Sequence, residues 1–289
     1  GFNMDVIANG TGAPSTSVSP GAELDAGDYV FAAQDYRFSA TCAFPAAPNY
    51  LPTGGSITNL LSSGPTTYQL GNYSADNCLH MTATTPTGTL TFGAPISAEQ
   101  LFLLANTGSG AATVDVLVTF TDATTENITG IAIPDWYGGP NVVVKASRVL
   151  TTASACGVEI GTSPSGPNLY QIAVNLSPLN FTKQIASVTF TRASSSTGLP
   201  NIMAIVVNTP CAGKPTAGTT TPAGPVSTCI GGATTLTTAG ADLGQSITYQ
   251  WWESTNGGGT WTQIFGATNN TYTASPSVST VYRMVVTCT

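Results

Sequence analysis

The single histidine, His80, lies in the run NCLHM two residues after Cys78. On a strand that spacing puts both side chains on one face, which makes two metal ligands, but no second cluster of Cys or His accompanies them. Ser-His-Asp chemistry would have to use His80, yet the chain contains no G-x-S-x-G elbow. Glycoside hydrolysis asks for two apposed carboxylates. Glu23, Asp25, Asp28, Asp35, Asp122, Glu126, Asp135 and Glu159 supply carboxylates, but no motif pairs them. The sequence therefore reads as non-enzymatic. Two segments carry binding chemistry instead. In AELDAGDY, the spacing of Glu23, Asp25 and Asp28 suits oxygen ligation of Ca²⁺ with help from backbone carbonyls, and an ordinary solvated turn is the competing reading. Asp135-Trp136-Tyr137, followed by Gly138-Gly139, places two aromatic rings beside a carboxylate. Such a group stacks on sugar faces while hydrogen-bonding hydroxyls; the alternative has Trp136 plugging the end of a sandwich.

The elements that must position these residues are strands. Charged residues make up only 7% of the 289, where a soluble domain ordinarily has roughly 25%, and 47 Thr and 31 Gly replace them. Thr favours strands and Gly favours turns, so composition points to an all-β chain. The longest apolar runs, Leu101 to Ala105 and Ile202 to Val207, fall far short of the roughly 18 residues of a membrane-spanning helix. Disorder is excluded by the aromatic and β-branched content available for a core. Of the net charge of −7, all resides in residues 1–210, and no Lys/Arg cluster exists to neutralise nucleic-acid phosphates or meet an anionic membrane.

Strand signals recur at Tyr29 to Ala33, Cys78 to Thr82, Thr89 to Phe92, Leu101 to Ala105, Thr113 to Phe120, Asn127 to Ile133, Asn141 to Leu150, Leu169 to Leu176, Ala186 to Thr191 and Ile202 to Val207. In VDVLVTF the residues alternate, with Val114, Val116, Val118 and Phe120 on one face. Ser97 to Ala105 reads equally as a short helix or a strand. The pattern predicts a large β-sandwich or jelly roll over 1–209, a Pro/Gly/Thr linker over 210–225 and a small β-sandwich over 226–289.

Six cysteines, Cys42, Cys78, Cys156, Cys211, Cys229 and Cys288, form an even set without C-x-x-C. They read as disulfides and place the protein in an oxidising, extracellular compartment; six cysteines allow 15 connectivities. In the last segment, Cys229, the strand ITYQWW with Trp251 and Trp252, and VYRMVVTC ending at Cys288 match the Cys–Trp–Cys order of an immunoglobulin-like sandwich, which predicts a Cys229–Cys288 bridge. Tyr282, six residues before Cys288, does not fit the tyrosine-corner spacing. An immunoglobulin-like domain also needs a strand after its second cysteine, and only Thr289 follows here. The missing strand is either further chain or one lent by a neighbouring molecule, for which GFNMDVIA is a candidate donor.

The runs CAGKPTAG, STCIGGATTL, ITYQWWEST, GGGTWTQIFGATNNTYTAS and TVYRMVVTC resemble the immunoglobulin-like repeats of large secreted surface proteins of Bacteroidetes. LFLLANTGSGAATVDVLVTFTDAT, IPDWYGG, NLYQIAVNL and KQIASVTFTRAS are similar to the jelly-roll modules beside such repeats, and the DAT and PDWY elements resemble galactose-binding-like modules of glycan-degrading enzymes of the same bacteria. The resemblance implies export by the type IX route, and adhesion, gliding or polymer binding as the role. It supplies no catalytic residues. The expectation is a secreted, non-catalytic adhesive or filament-forming surface protein that partners copies of itself, other surface proteins or polysaccharide. The rival expectation is a carbohydrate-binding module of a larger adhesin or enzyme.

Overall fold

The run VDVLVTF is a strand with Val114, Val116, Val118 and Phe120 buried and Leu117 turned outward, as its alternation requires. The computed structural model describes residues 1–14, 24–43, 50–59, 66–156, 159–160 (backbone), 167–211, 214–242 and 247–288. The chain divides into two all-β units, Gly1–Asn208 and Thr209–Thr289.

In the large unit the chain runs through β1 (Ile7–Ala8), β2 (Tyr29–Ala32), β3 (Ser56–Asn59), β4 (Thr66–Gln69) and β5 (Leu79–His80). It continues as β6 (Thr87–Ser97), β7 (Gln100–Gly108), β8 (Ala112–Phe120), β9 (Thr125–Ile133) and β10 (Val142–Lys145). The last strands are β11 (Ser147–Leu150), β12 (Glu159–Ile160), β13 (Asn168–Asn175), β14 (Gln184–Arg192) and β15 (Leu199–Asn208). A four-stranded sheet, β6-β14-β8-β9, packs on a five-stranded one, β10-β13-β7-β15-β5. Val116, Val118, Val188 and Phe190 of the first meet Leu101, Leu103, Val174 and Ile202 of the second in one core. The opposite face of the five-stranded sheet packs Phe102, Leu104, Leu169 and Met203 against Val6, Ile7, Phe31, Leu51 and Tyr68. Ile7 and Phe31 belong to the smaller sheet β1-β2-β11-β12 and Tyr68 to β3-β4, while Val6 precedes β1 and Leu51 forms an isolated bridge with Ala33.

The central sheet is thus covered on both faces. This explains the run LFLLANT: a strand buried on both sides has no solvent face to mark with polar residues, so it reads as continuous rather than alternating. Ser97 to Ala105 is accordingly strand where it is regular, not helix. The run Asn141 to Leu150 is two strands. Its halves, β10 and β11, join different sheets, and between them the Ala146 N–H leaves the ladder to donate to Pro167 O.

The small unit contains β16 (Ala217–Thr221), β17 (Thr234–Ala241), β18 (Ile247–Ser254), β19 (Thr262–Gln263), β20 (Thr271–Ala274) and β21 (Val281–Cys288). They form two three-stranded sheets, β16-β17-β20 and β19-β18-β21. Leu236, Trp251, Ala274 and Met284 make the core. Of the tryptophan pair, Trp251 turns inward and donates from Nε1 to Asn269 O at 2.8 Å. Trp252 turns outward, and the Arg283 guanidinium lies 5.7 Å from its ring and 4.2 Å from that of Trp261. β16 falls inside the Pro/Gly/Thr stretch read as linker. Its AGTTT run has backbone groups to offer and Thr residues that favour extended chain, and β17 takes it as a partner.

Two disulfides are present, Cys42–Cys156 and Cys211–Cys288, while Cys78 and Cys229 are free thiols. The expected Cys229–Cys288 bridge is therefore not formed. Gly231, two residues after Cys229, donates to Pro276 O, just before the start of β21, whereas Cys288 closes β21 at its other end. An eight-residue strand rises about 23 Å between those ends, far beyond the reach of a disulfide. Cys211 takes the place of Cys229, with Cα atoms 5.7 Å apart. Cys78 is fully buried beside Asn201, and burial drives its thiol pKa well above the ordinary range.

The N-terminal stretch is not a spare arm. Val6, Ile7 and Ala8 are fully buried, β1 pairs parallel with β2, and Cys78 and Asn77 bond to Met4. A segment so embedded in its own unit is not available as a donor strand.

Candidate ligand-binding cleft

The residues singled out for binding are mostly engaged in holding the fold. Asp135 accepts from Gly110 N at 2.7 Å through Oδ2 and from Tyr137 N at 3.0 Å through Oδ1, which ties the loop after β9 to the turn after β7. Trp136 is 3% exposed. Its ring meets the edges of Tyr29, Phe31 and Tyr137, and the Arg148 guanidinium caps the group, 3.7 Å from the Tyr29 ring and 5.1 Å from Trp136. No stacking face of Trp136 is left for a sugar, so this tryptophan is the plug of the sandwich. The loop is fixed further at Gly139. Its N–H donates to Tyr170 Oη, and a Cβ there would sit 2.5 Å from Pro134 Cβ.

The acidic triplet is a turn. Asp25 is buried, and its Oδ1 accepts from Gly27 N at 3.0 Å and Tyr29 N at 3.4 Å, while Asp28 takes a left-handed φ of 62°. A carboxylate spent on its own backbone is drawn away from ion ligation, and Glu23 lies outside the described residues. Among the described residues no group of three metal-ligating side chains occurs. Cys78 and His80 point at the same amide: His80 Nδ1 donates to Asn201 Oδ1 at 2.6 Å, and Cys78 Sγ lies 3.8 Å from it. Asn201 Nδ2 donates in turn to Asn106 Oδ1 and to the carbonyls of Leu24 and Leu199. Burial holds the His80 imidazole below its ordinary pKa, against the raising effect of that Asn201 bond. This is a hydrogen-bonded network of buried side chains.

The other candidate carboxylates are also occupied. Glu126 accepts from Ser177 N and Asn180 Nδ2, both at 2.7 Å. Asp122 accepts from Thr124 and lies 3.5 Å from Lys183 Nζ. The Glu159 side chain lies outside the described residues.

Asp35 is the exception. It sits in the turn that follows β2, half-buried, and its Oδ1 is shielded from solvent without a hydrogen-bond partner. The Asp35 residue lines a cleft of about 300 Å³, between the Asp35 turn, the turn at Thr53–Gly55 and the end of β4 with the turn beyond it. The walls are polar: Asn9, Thr53, Gln69, Asn72 and the base of Tyr73. Local geometry holds each in place. Gly55, at φ 68°, lets the Pro52–Gly55 turn close, and Gln69 Nε2 donates to Gly54 O at 2.9 Å, so that its Oε1 remains as an acceptor. Asn72 Oδ1 accepts from Ser74 N at 3.0 Å, which leaves its amide N–H groups as donors. Tyr73 donates to Pro52 O at 2.7 Å, and burial first, then the charge of Asp35, push its phenol above the ordinary tyrosine range. Among the described residues no Lys, Arg or His lines the cleft. Asp35 was visible in the sequence only as one unpaired carboxylate among many; Asn9, Gln69, Asn72 and Tyr73 carried no signal, because polar residues in turns have no period.

Comparison with known proteins adds a domain boundary and little chemistry. Residues 216–289 match the model of a domain of unknown function, DUF8696. No curated protein matches the chain. Among solved structures, the chain is similar to the crystal structure of beta-1,2-glucanase from Parabacteroides distasonis at 10% identity and a TM-score of 0.25. That alignment covers 84% of this chain and 32% of the glucanase chain, so this chain spans about a third of its length.

Proposed function

We propose that this chain is a secreted, non-catalytic surface protein whose large unit binds a polyhydroxylated polymer in the Asp35 cleft. The observation that carries the reading is the Asp35 carboxylate. A half-buried carboxylate whose shielded oxygen has no hydrogen-bond partner is costly unless a ligand in the cleft supplies countercharge or donors to the group. The polar walls, with the Gln69 and Asn72 amides held by internal hydrogen bonds, suit a ligand made of hydroxyls. Only one carboxylate lines the cleft among the described residues, which supports binding rather than two-carboxylate hydrolysis. The two disulfides and the absence, among the described residues, of a helix long and apolar enough to cross a membrane fit export. The type IX route follows from the resemblance of the repeats.

Affinity electrophoresis of the full chain through gels carrying soluble polysaccharides tests this. Retardation by at least one polymer is expected, abolished in Gln69→Ala/Asn72→Ala. Unretarded migration through neutral, acidic and amine-bearing polymers alike overturns the reading.

A second reading, assembly into filaments, draws on β21, which pairs with β18 on one side and with no strand on the other among the described residues. A chain that stays monomeric by light scattering across a hundredfold range of concentration removes it.

A further inference from the structure

We infer that the Asp35 cleft selects an amine-bearing saccharide, with Asp35 pairing the sugar's ammonium group. This rests on the proposal that the cleft binds a glycan. The argument is an inventory of hydrogen-bonding capacity. Among the lining side chains the Asp35 carboxylate and Gln69 Oε1 only accept, the Thr53 hydroxyl both accepts and donates, and the Asn72 amide N–H groups donate. Acceptors exceed donors. A neutral sugar hydroxyl both donates and accepts, and so leaves part of this excess unmet. An ammonium group, with three N–H donors and no acceptor, meets it.

Charge points the same way. The cleft holds one negative charge, no Lys, Arg or His lines it among the described residues, and the chain as a whole carries −7. A uronic acid or sulfated sugar would bring a second negative charge next to a partly shielded carboxylate, which is unfavourable. A protonated 2-amino sugar brings the countercharge to the Asp35 carboxylate. Hydrogen bonds to charged groups are roughly twice as strong as neutral ones, which sets the expected preference at about tenfold in affinity.

Calorimetric titration of the full chain compares a glucosamine tetramer with the N-acetylated tetramer and with a uronate tetramer, at a pH below the amine pKa. The inference expects the amine tetramer to bind about tenfold more tightly than the acetylated one, and the uronate not to bind. It expects the preference to shrink with added salt and to vanish in Asp35→Asn, an isosteric change whose folding is checked by circular dichroism. Equal binding of the amine and acetylated tetramers overturns this inference and leaves the glycan reading standing; no binding of any saccharide takes both. A preference that survives Asp35→Asn removes the assignment to this cleft. A trilysine peptide that binds as well as the amine tetramer overturns the saccharide part, because the site would then be reading ammonium alone.

Discussion

The two units solve stability differently. The large unit stacks three layers of sheet, so that β7 and β15 are covered on both faces and two continuous cores meet across one sheet. The small unit has two three-stranded sheets around Leu236, Trp251, Ala274 and Met284. Hydrophobic cores of that size rarely suffice for a domain of its length, and small domains ordinarily add a covalent staple. Here Cys211–Cys288 ties the segment before β16 to the end of β21. The comparison teaches where each unit can spare a residue for function. A thick core tolerates an unsatisfied carboxylate at its rim; a thin one depends on its cross-link.

The sharpest way to break that contrast is to cut the staple. Cys211→Ser/Cys288→Ser opens a loop of sequence separation 77, which the chain-entropy model values at about 4.5 kcal/mol. The expected outcome in thermal denaturation, followed by tryptophan fluorescence, is loss of the small unit's transition with the large unit's left in place. Intact small-unit melting in the variant would mean the core is sufficient without the bridge. Next in size is a paired truncation, Trp251→Ala against Phe190→Ala. Each removes a fully buried aromatic at a cost of about 3–5 kcal/mol. The first is expected to unfold its unit at room temperature, and the second only to lower the melting temperature of the large unit. Similar survival of both would show that the small core is deeper than its four residues indicate.

How far the sequence anticipated these results depends on what each residue pattern encodes. Period-two runs on half-buried strands were legible, and β8 is the clearest case, because solvent on one face leaves polar residues to mark it. Leu101 to Ala105 was ambiguous, because a strand between two cores has no such mark. The short strands β3 and β4 escaped notice, since four residues rich in Thr and Ser look like turn. Alternation requires that one of Trp251 and Trp252 face inward, but only the structure shows that it is Trp251. The Cys229–Cys288 expectation failed because the order Cys–Trp–Cys does not encode distance: Cys229 lies in the turn at the far end of β21. The site was least legible. Trp136 drew attention because aromatic residues beside a carboxylate suit sugars, yet sequence cannot tell a plug from a platform. Asp35 matters only because every other described candidate carboxylate found a partner and it did not.

A smaller effect probes the buried network of the large unit. Burial holds His80 below its ordinary pKa of 6.5, so in that range the unfolded chain binds a proton that the folded one refuses. Stability of the large unit is therefore expected to fall as pH drops below about 6.5, and the decline to continue until the folded imidazole also protonates. Asp5, whose carboxyl is pushed up chiefly by burial, works in the opposite sense at lower pH. The comparison with His80→Gln, measured by urea denaturation between pH 7.5 and pH 5.5, isolates the imidazole: the variant is expected to show the shallower dependence. Parallel curves for the two proteins would place the titrating group elsewhere.

The smallest effect carries the most about function. Asp35→Asn exchanges a shielded, unpartnered charge for a neutral amide of the same shape. If the carboxylate is retained for a ligand, its removal should leave the large unit as stable as before or slightly more so, within roughly 1 kcal/mol, because a charge kept without a partner costs stability in the free protein. Binding in the cleft should weaken in the same variant. A structural carboxylate gives the reverse, a clear loss of stability as its contacts disappear, and a surface residue without a role changes neither. Urea denaturation and saccharide titration on one preparation therefore separate the three cases, and opposite signs for stability and binding are what a site built at the rim of a thick core predicts.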